Sequence, residues 1–360
     1  MKTSQVTKKP DFADQEIYVG IDVHKKQWTV TIRSEFLEHK TFVQPADSKT
    51  LAVYLKKNFP GAKYKSVYEA GFCGYSVHRA LTAEGIENII VNPADVPTTN
   101  KERKTKQDKV DSRKLCRALA DGVLTGNYVP KESEAEMKEA VRQVKILTFD
   151  ITRFKNRIKS KLDRNGIVIP DDYEASSKSW SKSFINWLGT VELETELGTV
   201  GLKLQIEGLK QITELRKQLR KTAEKHVAQV YPQEMSLLRS IKGVGKTAST
   251  LFLSEVGDTS RFSSFERLCS FVGLVPNTYS SGEKERTGRM TKRKNRYLQP
   301  VLVQCAWKAV GSDPALMSAY GEFKKRMTST RAIIKITRKL LNRIRHVLLN
   351  KDPYVAGMGI

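Results

Sequence analysis

Asp22 stands in the run Ile17-Tyr18-Val19-Gly20-Ile21-Asp22-Val23, which has the length and the β-branched, aromatic character of a strand buried on both faces. An ionised carboxylate taken out of water costs roughly several kcal/mol unless a cation or hydrogen-bond donors meet it. A metal ion or a basic partner is therefore expected beside it. The plainer reading is a strand-end aspartate turning into a hairpin at His24-Lys25-Lys26, and the stretch alone supports both equally.

The pattern around this strand suggests a sheet. A second strand is expected from Gln27 to Arg33 and a third from Lys40 to Val43, then a helix from about Ser48 to Asn58. A fourth strand, Lys65 to Ala70, leads through Gly71 to Gly74 into a helix at about 75–84, and Asn88 to Val91 makes a fifth. A meander followed by alternating strands and helices is the order of a ribonuclease H-like α/β sheet. After the basic loop Lys101-Glu102-Arg103-Lys104-Thr105-Lys106, a helix spans about Gln107 to Asp121.

From about Glu132 to Asn165, Val141, Val144, Leu147, Ile151, Phe154, Ile158 and Leu162 recur at spacings of three and four, a helical stripe that wants a partner. Leu202, Ile206, Leu209, Ile212, Leu215, Leu219 and Ala223 form a second stripe, able to pair with the first within the chain or in another subunit. Pro170 to Gly201 is less regular, with a short helix near Phe184 to Leu188. From Gln233 the pattern is mostly helical, and Phe323 to Leu349 reads as one core-packing helix with a basic face. The expected fold is α/β plus all-α: a disordered tail at 1–15, a ribonuclease H/RuvC-like domain at 16–125, a helical or coiled-coil region at 126–232, and a mostly helical domain at 233–360.

Charge narrows the partners. Sixty-three Lys and Arg against 39 Asp and Glu give a net charge of +24, the footprint of a nucleic-acid binder. No apolar run approaches a membrane span and the start lacks an apolar signal core, so a cytoplasmic protein is expected. Cys73, Cys116, Cys269 and Cys305 show no CxxC or Cys/His pairing, which argues against a zinc site or a disulfide framework.

Three more acids fit a metal reading of Asp22. Glu69 closes the fourth strand before a glycine turn, where α/β sheets place their sites. Asp108 and Asp111 lie three apart at a helix start, on the face continued inward by Leu115 and Ala118. Acids in a first helical turn also complement the helix dipole, so the pair alone has a structural explanation. Together, four carboxylates from two strands and a helix would bind two magnesium ions roughly 4 Å apart and act on a phosphodiester, with Lys101, Arg103, Lys104 and Lys106 beside the phosphate.

Further along, Ile241-Lys242-Gly243-Val244-Gly245 before a helix reads as a helix-hairpin-helix type turn, in which Gly243, Gly245 and Lys246 would meet a phosphate. A tight turn between two packed helices is the alternative. Ser280-Ser281-Gly282 is weak as a string, but Lys284, Arg286, Arg289, Lys292, Arg293, Lys294 and Arg296 follow it. A hydroxyl in a flexible turn beside so much phosphate-binding charge can act as a nucleophile if a metal or base activates it. His24 and His78 read as ordinary polar residues.

Gly20-Ile21-Asp22 with His24-Lys25, Tyr68-Glu69-Ala70 and Thr105-Lys106-Gln107-Asp108-Lys109-Val110-Asp111 resemble the DEDD motif of the insertion sequence 110/1111 family of transposases. Leu238 to Ala248, Phe271 to Pro276, Tyr279 to Gly282 and Lys292 to Leu298 resemble the C-terminal domain of the same family. The resemblance implies a bacterial DNA recombinase that excises and inserts a mobile element, with Asp22, Glu69, Asp108 and Asp111 as catalytic metal ligands. It implies that Ser281 attacks DNA, with Ser280 as the fallback. It also implies a structured guide RNA from the element and assembly as dimers and tetramers, the carboxylates of one subunit completed by the serine of another. Two other readings stay open: a RuvC-like junction nuclease in which water attacks, and a non-catalytic nucleic-acid-binding protein.

Overall fold

The computed structural model describes residues 12–99, 107–173, 179–281, 284–291 and 293–356; Lys101, Arg103, Lys104, Lys106, Gly282 and Lys292 lie outside them. The chain divides into two compact units, Met1–Pro130 and Lys131–Ile360.

The first unit is built on a five-stranded sheet of β1 (Glu16–Val23), β2 (Gln27–Arg33), β3 (Glu38–Pro45), β4 (Lys63–Glu69) and β5 (Glu87–Val91), ordered β3-β2-β1-β4-β5. β1 pairs antiparallel with β2 and β2 with β3, whereas β4 and β5 run parallel to β1. α1 (Ser48–Asn58) and α2 (Ser76–Ala83) supply the crossovers that parallel neighbours require. Side chains alternate across a strand, so Ile17, Val19 and Ile21 join Val30, Ile32, Leu51, Leu55, Tyr68 and Leu81 in one core. On the other face Val67, Val91 and Leu115 form a smaller cluster with α3 (Asp108–Ala120). Phe12, in the stretch expected to be a tail, packs edge-on against Phe59, and the Gln15 carbonyl accepts from the Lys63 amide.

In the second unit α4 (Glu132–Arg164) and α6 (Glu196–Val230) pack along one another. The two stripes therefore pair within the chain: Ile151, Ile158 and Leu162 meet Leu202, Ile206 and Leu209. Gly208 lets them close, because a β-carbon there would lie 2.8 Å from the Phe154 ring. Leu215 departs from the expected stripe and is exposed. α5 (Lys182–Thr190) brings Phe184 and Trp187 onto Tyr173 and Trp180, an aromatic cluster in the irregular connection.

The remaining helices are α7 (Pro232–Ser240), α8 (Lys246–Val256), α9 (Phe265–Val272), α10 (Leu298–Val310), α11 (Pro314–Lys324) and α12 (Ser329–Asn350). α8 packs against α4, α6, α7 and α10, and every residue of it from Ala248 to Val256 is buried. The segment expected as one helix from Phe323 is two, because extended Thr328 interrupts it and starts α12. Asp313 caps α11 through the Leu316 amide and is held by Arg343 and the Tyr354 hydroxyl. A second correction is local: β6 (Pro276–Ser281) and β7 (Lys284–Met290) form an antiparallel pair where a flexible turn was expected. No helix among the described residues is long and apolar enough to cross a membrane.

Candidate active site

Parallel pairing sets Gly20 opposite Val67 and Ile21 opposite Tyr68. Carried one residue further, that register places Asp22 beside Glu69 at the C-terminal ends of β1 and β4. Ile21 and Tyr68 enter the core under α1 and α2. By alternation, Asp22 and Glu69 share the face with Gly20 and Val67, the face that α3 covers.

Gly20 is what lets α3 approach. A β-carbon there would lie 2.1 Å from the Ser112 carbonyl oxygen and 2.5 Å from the Cys116 amide nitrogen. The Ser112 and Thr31 hydroxyls meet at 2.9 Å and the Cys116 thiol donates to the Tyr18 carbonyl, fixing the helix across β1 and β2. Leu115 and Ala118 are buried, as the inward-face reading expected, whereas Asp108 at the open end of that face is 54% exposed. The first turn of α3, with Asp108 and Asp111, then lies over the strand ends; extended Gln107 starts the helix without a side-chain cap.

Two basic side chains sit among the four acids. His24 Nε2 is 3.2 Å from Asp22 Oδ2 and 3.5 Å from Asp108 Oδ2, although the sequence reading treated this histidine as ordinary. Lys114 Nζ is 3.0 Å from Asp111 Oδ1 and 3.6 Å from Glu69 Oε1, and its side chain is only 8% exposed. Burial pushes the Asp22 carboxyl up; Asp108 and Asp111 add to the rise, and His24 opposes it. Burial likewise raises Glu69, with Lys114 opposing and the charges of Asp111 and Asp22 adding. Asp22 and Glu69 thus feel each other and the acids of α3 electrostatically, as closely grouped carboxylates do.

Ligand atoms of Asp22, His24 and Asp108 all lie within 4.8 Å of one another. Opposite ligands of a magnesium ion stand about 4.2 Å apart, so the Asp22 and Asp108 oxygens lie close enough to share one hard divalent ion, for which the His24 nitrogen is the poorer donor.

In the second unit, Ser281 ends β6 opposite Lys284, and Ser280 pairs with Glu285. Asn295 anchors the basic segment that follows β7. Asn295 accepts from the Tyr297 and Leu298 amides with its oxygen and donates to Glu255 Oε2 with its nitrogen. Glu255 is fully buried and also receives both Arg142 donors, with Lys138 at 3.4 Å. Burial raises the Glu255 carboxyl, but Arg142, Lys138 and Asn295 outweigh it and leave it below the ordinary range. Beneath the same segment, left-handed Gly273 closes α9, and a β-carbon there would strike Lys294 at 2.1 Å. Arg293, Lys294 and Arg296 remain exposed around this anchor. Sequence reasoning found the basic cluster but not Asn295 and Glu255, whose polarity alone does not distinguish an anchor from a surface residue.

At the glycine turn before α8, Gly243 takes a positive φ, and a β-carbon there would lie 2.6 Å from the Cys305 carbonyl oxygen. Its close approach is to α10. Gly245 is the open one: nothing lies within 4 Å of its β-position, and it starts α8 with no side-chain cap. Lys246 pairs with Glu224 at 3.6 Å, and the Thr247 hydroxyl donates to the same carboxylate.

Comparison with known proteins finds transposase profiles on two stretches of the chain. The profile of the IS110 DEDD transposases, described as "Transposase", matches residues 19–166, and that of the "Transposase IS116/IS110/IS902 family" matches 235–322. The chain is similar to the putative transposase y4qE of Sinorhizobium fredii, 27% identical over 81% of this chain and 72% of the relative. It is similar also to the transposase for insertion sequence element IS1533 of Leptospira borgpetersenii, 26% identical over 81% of this chain and 85% of that one. A shorter likeness, 32% identical over 33% of this chain and 38% of the relative, is to the pilin gene-inverting protein of Moraxella bovis. With both characteristic regions matched in order, the chain belongs to the IS110/IS116/IS902 family of transposases.

Proposed function

We propose that this transposase cuts and rejoins DNA strands at a ribonuclease H/RuvC-like carboxylate site, with Ser281 as the nucleophile. The observation that carries the reading is the convergence of Asp22, Glu69, Asp108 and Asp111 from β1, β4 and α3. The sheet order, an antiparallel meander joined to parallel crossover strands, supports the ribonuclease H-like assignment. Asp22, Glu69, Asp108 and Asp111 would hold magnesium, which would supply Lewis-acid stabilisation of charge at a scissile phosphate.

In the proposed step the Ser281 oxygen bonds to phosphorus as the bond to the 3′-oxygen breaks. The serine loses its proton and the 3′-oxygen gains one. A phosphoserine link conserves the bond energy, so the strand can be resealed by the reverse attack without ATP. Lys284 and Arg286, with Arg289 further along the hairpin strand, bring positive charge to the phosphate. Arg293, Lys294 and Arg296 hold the flanking backbone by charge. Gly245 and Lys246 offer a further phosphate contact at the start of α8. Lys101, Arg103, Lys104 and Lys106 would add further charge for the phosphate backbone. DNA is the substrate; the paired stripes of α4 and α6 suit a coiled-coil region, and the family resemblance adds a structured guide RNA and dimers or tetramers in which one subunit's serine meets another's carboxylates.

Ser281→Ala tests the reading. It should keep DNA binding while losing recombination and any DNA-linked protein on a denaturing gel; Ser280→Ala should lose less. A Ser281→Ala protein that still cuts at the parent rate would assign the attack to water.

A further inference from the structure

The four acids are not equivalent: two basic side chains divide them into pairs. His24 bridges Asp22 and Asp108, and Lys114 bridges Asp111 and Glu69. The bridges differ in permanence. His24 lies just beyond β1, in the turn to β2, with its side chain half exposed, so rotation about its side-chain bonds can carry the ring into solvent. Lys114 is on α3, one turn past Asp111, and is sealed against the sheet at 8% exposure. Withdrawing its ammonium would leave two partly buried carboxylates without compensation and require the helix to move.

We infer that Lys114 is a resident cation that takes the place of one of the two magnesium ions expected from the sequence. The site would then hold a single divalent ion, on the Asp22/Asp108 side. The Asp22 and Asp108 oxygens already lie within 4.8 Å of one another, and half-exposed His24, the base between them among the described residues, can swing aside. At Glu69 and Asp111 a second ion would face the ammonium of a lysine whose side chain is buried between the two carboxylates. Lys114 is thus a positioning residue: it holds Glu69 and Asp111 at fixed separation and supplies a single positive charge whatever the metal concentration. This rests on the carboxylate-site reading above.

The test is the number of Mn²⁺ ions bound by the full-length protein without nucleic acid, counted by electron paramagnetic resonance and by calorimetry. The parent protein should bind one ion per chain, Lys114→Met two, and Lys114→Arg one. Asp108→Asn should bind none or bind at least tenfold more weakly. Two ions of similar affinity on the parent protein would overturn the inference and leave the carboxylate reading standing, without reliance on any variant's folding. So would a folded Lys114→Met that still binds one. A parent protein that binds no Mn²⁺ would overturn both.

Discussion

Gly20 and the Ser112 carbonyl stand so close that a β-carbon on the glycine would be 2.1 Å from that oxygen. The obstructing atoms are helix backbone, which cannot rotate aside. Gly20→Ala must therefore lift α3 from the sheet or bend β1. Overpacking typically costs about 1–3 kcal/mol, and a backbone clash lies toward the upper end. Thermal unfolding should show that loss. Because Asp108 and Asp111 ride on α3, Mn²⁺ affinity should fall together with stability. An alanine variant with the parent melting point and metal affinity would contradict the close approach.

Asp22→Asn separates chemistry from folding. Burial and neighbouring acids raise the Asp22 carboxyl, so folding favours its protonated form. For an acid raised in this way, stability is greatest below its ordinary pKa and is lost as pH climbs from that value through the raised one. The asparagine cannot ionise, so in EDTA its stability should fall less across that window. At neutral pH it should be as stable as the parent or slightly more so, while strand cleavage disappears. A variant that unfolds would assign Asp22 a structural role.

The places of Asp22 in an apolar strand, of Glu69 at a strand end and of Asp108 and Asp111 in a first helical turn were legible from the sequence pattern. Lys114 was not. Three residues past Asp111 on a helix, it reads as a solvated ion-pair partner, and only the approach of α3 at Gly20 buries it against Glu69. His24 was passed over because its role depends on Asp108, which the fold brings to it from a distant helix. The β6/β7 pair was missed for another reason. Its serine, glycine and charged residues lack the alternating apolar pattern that marks a strand from sequence. The stripes on α4 and α6 were legible from periodicity, but exposed Leu215 shows that spacing marks a face without marking where the partner ends.

Glu255 should govern acid stability in the second unit. Its carboxyl lies below the ordinary range because Arg142, Lys138 and Asn295 outweigh the effect of burial. A lowered acid contributes stability that is present above its ordinary pKa and lost as pH falls through the folded value. Glu255→Gln should therefore be less stable than the parent at neutral pH and show a shallower loss on acidification. Arg142→Ala, which leaves a buried carboxylate short of its main partner, should cost about 3–5 kcal/mol, as breaking buried pairs does. Equal acid unfolding of Glu255→Gln and parent would remove the anchor.

The basic segment held by that anchor should set much of the salt dependence of DNA binding. Arg293 and Lys294 are exposed, while Asn295 between them and Arg296 is fixed to Glu255, so the charges project from a rigid base. Each phosphate neutralised on duplex DNA contributes about 0.9 to the slope of log K against log salt. Replacing Arg293 and Lys294 with alanine should thus lower the slope by about 1.8 if each meets one phosphate. The fold should be unchanged, since neither side chain is buried. Asn295→Ala keeps every charge but frees the segment, so affinity should drop at all salt concentrations with a smaller change of slope. The measurement is a set of binding isotherms between 50 and 200 mM salt, roughly the range over which counterion release is pronounced. An unchanged slope in the double alanine variant would show that the phosphates are met elsewhere.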